Sequence, residues 1–142
     1  MSATTAEPKA TRAWLRMVLW GLVYFAIGTA TAALSRGAAS GGMRQIWRLA
    51  AWALSLGVFA ASFSDERSRA GGAPGKTALH TALGVAVGGF LLAAAATVHA
   101  LSVGTGRLGA YGIALVAWPV LVGVPAFLVA WAVATALRPR AP

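Results

Sequence analysis

Few side chains in this sequence can do chemistry. His80 and His99 are the two histidines, Asp65 and Glu66 are the acids beyond the N-terminal Glu7, and there is no cysteine. The missing thiols exclude a thiolate metal site and a disulfide scaffold. Both histidines fall in one apolar run, 78–103, nineteen positions apart. On a helix that separation is about 28 Å along the axis and about 100° around it. They cannot share one metal ion. A haem would use one of them, with its second ligand from another helix or subunit, Met17 or Met43 being available here. Ionisable residues within spans are functional candidates by default. His80 and His99 are therefore the candidate cofactor-binding positions, for haem or quinone. The plainer expectation is that no cofactor binds and each histidine sits near one membrane face.

Asp65 and Glu66 follow the second apolar run, and His80 opens the third on the same side. A segment of 14 residues, 64–77, separates the runs and brings a carboxylate within reach of the imidazole. Such a pair suits proton transfer or part of a metal site. The competing expectation is a solvated turn, Asp65-Glu66-Arg67-Ser68-Arg69, paired with itself and worth little. No acid lies inside an apolar run, which disfavours a proton- or sodium-coupled carrier.

Arg48, between Trp47 and Leu49 just inside the second run, is the cation nearest a span interior. It either snorkels to the interface or contacts an anion or lipid headgroup between helices. Trp14, Trp47 and Trp131 lie toward run ends as interfacial anchors, whereas Trp20, Trp52 and Trp118 lie deeper. Small residues recur at four-residue spacing: Gly84 with Gly88, Gly89 with Ala93, Gly57 with Ala61, and Gly28 with Ala32. This spacing puts each pair on one helix face, where backbones approach closely. Gly84–Gly88 is the strongest of these packing seams; Gly57–Ala61 and the others carry less weight, because chance matches are frequent in a chain this rich in Ala and Gly.

The elements that carry these residues are membrane helices. Of the 142 residues, 58% are apolar and 11% charged, against roughly 25% charged in soluble domains. Runs at 17–34, 46–63, 78–103 and 108–137 approach or exceed the length a membrane helix needs, about 20 residues. The expected fold is all-α: a polytopic membrane protein, a four-transmembrane-helix bundle forming one integral-membrane domain over 1–142. Residues 104–107 predict a tight hairpin between helices three and four. Pro119 and Pro125, six residues apart in the fourth run, predict a kink there.

The net charge of +9 is not one basic patch. Its cations flank the apolar runs, as orientation signals do, and this scatter argues against a nucleic-acid partner. With both termini cytoplasmic, eight of the twelve Lys and Arg residues lie inside and four outside (Arg36, Arg44, Arg48 and Arg107). Arg outnumbers Lys ten to two and Ala and Gly abound, a bias that suggests a GC-rich bacterial genome; the expected location is the cell inner membrane. A rival reading makes 17–28 the core of a secretory signal cleaved after Ala30-Thr31-Ala32, but Arg36 and the apolar length suit a retained helix.

Three functions follow as expectations. The first is a non-enzymatic accessory or assembly subunit of a membrane complex, or a homo-oligomer, with anionic lipids and other membrane subunits, or itself, as partners. The second is a haem- or quinone-binding redox subunit using His80 or His99. The third is an oligomeric channel, or an anion- or lipid-handling carrier, with Arg48 on its path.

Overall fold

The computed structural model describes residues 7–71, 73–104 and 108–138. Four helices follow in order: α1 (Glu7–Arg36), α2 (Gly41–Arg69), α3 (Pro74–Ser102) and α4 (Leu108–Ala136). Each is long and apolar enough to cross a membrane, as in a multi-pass membrane protein. Residues 105–107, on which the predicted tight hairpin depends, lie outside the described residues.

α1 and α2 outrun their apolar stretches at both ends and α3 at its start, and local chemistry explains how for α2 and α3. The Ser40 hydroxyl accepts the Met43 N–H at 3.2 Å and caps α2 five residues ahead of its apolar run. At the other end α2 continues past Phe63 to Arg69. Arg67 and Arg69 in the last turn oppose the negative end of the helix dipole, and Arg69 bonds Asp65 one turn back at 2.9 Å. The connection expected over 64–77 is therefore confined between Arg69 and Pro74. Gly71, at φ 60, takes the left-handed conformation that reverses the chain, and Pro74 starts α3 at its first turn. α4 runs unbroken through Pro119 and Pro125.

α3 is the centre of the bundle, packing most extensively on α4, then on α1, and less on α2. Its small residues make this possible. A Cβ at Gly88 would lie 2.6 Å from Tyr24 Cβ and 3.0 Å from the Gly21 carbonyl of α1. A Cβ at Gly89 would lie 2.7 Å from Val122 of α4. The two neighbouring glycines thus serve two different helices. A buried apolar cluster of Phe63, Ala78, Ala130 and Ala134, flanked by Phe59 and Phe127, closes one end. The outward surface is apolar, with Trp52 at 72% and Ile113 at 71% exposure. A soluble monomer rarely carries contiguous apolar surface of this extent.

Candidate functional site

Directly beyond the apolar cluster lies the most polar interior of the molecule. Glu66 is one turn past Phe63 on α2, so both face the bundle, and Glu66 is only 2% exposed. A bare carboxylate in that position would be costly, but this one has two partners. His80 Nδ1 lies 2.8 Å from Oε2, and Arg16 Nε lies 3.4 Å from Oε1. The short contact is the strong one, and the Arg16 contact is near the limit for a hydrogen bond. A carboxylate that accepts both bonds places the imidazole proton on Nδ1. His80 Nε2 is then left to accept a proton or to ligate.

Asp65 shares none of this. One residue is about 100° of helix, which turns Asp65 to the surface and to Arg69. Around the buried carboxylate, Arg12, Arg16, Arg69, Lys76 and His80 line a cleft of about 310 Å³. Arg12 and Lys76 have no ion-pair partner among the described residues. Nearby, Arg67 Nη2 donates to the Leu137 carbonyl at 2.6 Å and ties α2 to the end of α4. Thr81, 2% exposed on α3, keeps a hydroxyl with no hydrogen-bond partner among the described residues.

Chemically this is an oriented imidazole without a nucleophile. No hydroxyl is hydrogen-bonded to His80 among the described residues, and no three His, Asp or Glu side chains there converge as a metal set. His99 is exposed in the last turn of α3, at the opposite end from His80. The two histidines are not brought together. Arg48 is exposed and, because α2 starts at Gly41, stands seven residues into its helix beside Trp47. Gly84 and Gly88 face α1, whereas Gly57 has nothing within 4 Å of its would-be Cβ, and Ala61 is exposed.

Two participants escaped the sequence reading. Arg16 looked like a flanking charge, yet it reaches the buried carboxylate from α1. Gly21 has no small residue four positions away, yet it is the α1 counterpart of Gly84 and Gly88. Its seven-residue spacing to Gly28, two turns on one face, is the signal that could have found it. Comparison of the chain with family models, curated proteins and solved structures gives no match.

Proposed function

We propose that this is a small inner-membrane protein, both termini cytoplasmic, acting as a non-enzymatic accessory or assembly subunit, or as a homo-oligomer. The observation that carries this reading is the contrast between its two small-residue seams. Gly84 and Gly88 are filled by α1 within the chain, while nothing among the described residues covers Gly57, and Ala61 is exposed. Between helices in lipid, close backbone packing is the main attraction, so an uncovered seam is a surface for another helix. The neighbouring Leu56 and Ala60 are exposed as well, which leaves the face apolar and flat enough to pair.

The chain contains no cysteine, so a single Gly57→Cys or Ala61→Cys variant carries a unique thiol. Oxidative or bifunctional crosslinking in native membranes is expected to give one discrete adduct, either with a second copy or with a partner subunit. Gly57→Leu is expected to abolish co-purification in mild detergent without loss of monomer stability. A lone, uncrosslinked chain in both settings would overturn the proposal.

One observation favours the redox alternative. His80 Nδ1 is held by Glu66, the arrangement by which ligating histidines are commonly oriented, with Nε2 left to bind. A Soret band that shifts on reduction and is lost in His80→Ala would move the assignment to a haem-binding subunit. A colourless preparation without extractable quinone would remove it.

A further inference from the structure

Two clefts on the bundle run into one another. One, of about 410 Å³, opens between the end of α1 and the start of α2, with Ser35, Arg36, Trp47 and Arg48 among its lining. The other, of about 310 Å³, lies deeper among all four helices, walled mainly by apolar side chains that include Trp52 and Trp118. Gly28 and Ala51 line both. The result is one groove with a basic mouth and an apolar interior.

Its length can be compared with a lipid. Arg36 at the mouth and Tyr24 at the deep end are twelve residues apart on α1, about 18 Å of helix rise. Half the hydrocarbon core of a bilayer is about 15 Å. If α1 crosses the membrane, the groove runs from the interface to near the midplane, the reach of one acyl chain.

The mouth also lacks a counter-charge. The three acids are Glu7, which opens α1, and Asp65 and Glu66 near the end of α2, all at the opposite end of the bundle. Neither Arg36 nor Arg48 makes an ion pair among the described residues. Two guanidinium groups at headgroup depth suit a phosphate oxyanion, which arginine binds through paired N–H donors. The apolar interior gains little driving force from a chain that leaves other lipid. It adds shape and packing, while the mouth selects the charge.

We infer that this groove binds one anionic phospholipid, its phosphate on Arg36 and Arg48 and an acyl chain along Gly28 and Ala51 to the space between Trp52 and Trp118. The inference rests on the reading of the four helices as membrane spans but not on lateral association. Gly57 lies about 200° around α2 from Ser55, a residue that lines the groove.

The test is native mass spectrometry of the full chain in detergent, titrated with phosphatidylglycerol, phosphatidylcholine or inorganic phosphate. One phosphatidylglycerol per chain is expected, and phosphatidylcholine at the same concentration should leave the site empty. Arg36→Gln with Arg48→Gln should weaken phosphatidylglycerol binding about twenty-five-fold, from roughly fivefold for each interfacial arginine. Ala51→Leu should block the chain path while the mouth stays intact, its fold checked by thermal stability in lipid-free detergent. If Ala51→Leu unfolds, Ser55→Leu replaces it. Gly57→Leu should leave lipid binding unchanged, which separates this result from any failure of the association model. Equal binding of the two lipids, full retention in the double arginine variant, or competition by inorganic phosphate as strong as by lipid would each overturn the inference.

Discussion

Replacing Glu66 tests whether the polar interior is a structural unit. The carboxylate is 2% exposed and is shared by His80 at 2.8 Å and Arg16 at 3.4 Å. A hydrogen bond to a charged group contributes about 1.5–3 kcal/mol net, and the His80 contact has the distance to reach that range. The Arg16 contact is long, and its side chain is 29% exposed, so water screens it to about 0.5–1 kcal/mol. Glu66→Gln keeps the shape and one acceptor but loses the charge, for an expected loss of about 2 kcal/mol. Glu66→Ala also leaves both partners unpaired and opens a void, for about 3–5 kcal/mol. His80→Gln should cost more than Arg16→Gln, and a Glu66–His80 double-mutant cycle should give a coupling of about 1–2 kcal/mol. The assay is reversible SDS unfolding of the purified protein in mixed micelles. Glu66→Gln within about 0.5 kcal/mol of the parent, the scatter of neutral surface changes, would show that the carboxylate is effectively solvated. Arg16→Gln as the costliest single change would refute the ranking by distance and exposure.

Four further variants can be checked with the same purified protein. Gly88→Ala drives a Cβ into Tyr24 and the Gly21 carbonyl, so a loss of about 1–3 kcal/mol is expected. Gly57→Ala meets nothing and should leave the isolated chain unchanged or slightly stabilised; equal effects at the two sites would sink the two-seam description. Arg67→Gln removes the donor to Leu137, so hydrogen–deuterium exchange should rise in the last turn of α4 and nowhere in α1; an unchanged pattern means that the tie is not populated. Thr81→Val deletes a buried hydroxyl that has no partner and should stabilise by about 1 kcal/mol, with a destabilising result pointing to an unrecognised acceptor.

The apolar runs were legible because four helices must each supply their own apolar length. What the runs hide is where the helices stop. Asp65 through Arg69 is polar and reads as a loop, yet its i,i+4 pair and C-terminal cations carry α2 onward. That extension decides the site. It sets Glu66 on the inner face and its neighbour Asp65 on the outer one, a distinction no composition window makes. The proximity of Glu66 to His80 was open to sequence reasoning, since both flank one turn. The approach of Arg16 was not, because it depends on which helix packs beside α2. The Gly84–Gly88 spacing was visible as a seam, but spacing cannot say that α1 fills it while the Gly57–Ala61 face stays bare.

The central position of α3 has a consequence for how the chain is made. Polypeptides emerge N-terminus first at about 5–20 residues per second, so α1 and α2 are made before their main neighbour exists. α1 packs more on α3 than on α2, and the Gly21 notch that receives Val87 and the Gly84 carbonyl stays open until α3 arrives. The 29 residues of α3 take about 1.5–6 s to synthesise at that rate. Until α3 has docked, the nascent two-helix hairpin carries an unsatisfied packing notch and a carboxylate, Glu66, without its His80 partner. A chain stalled before residue 74 would therefore expose both marks of an incomplete bundle, and arrival of the third helix would erase them together.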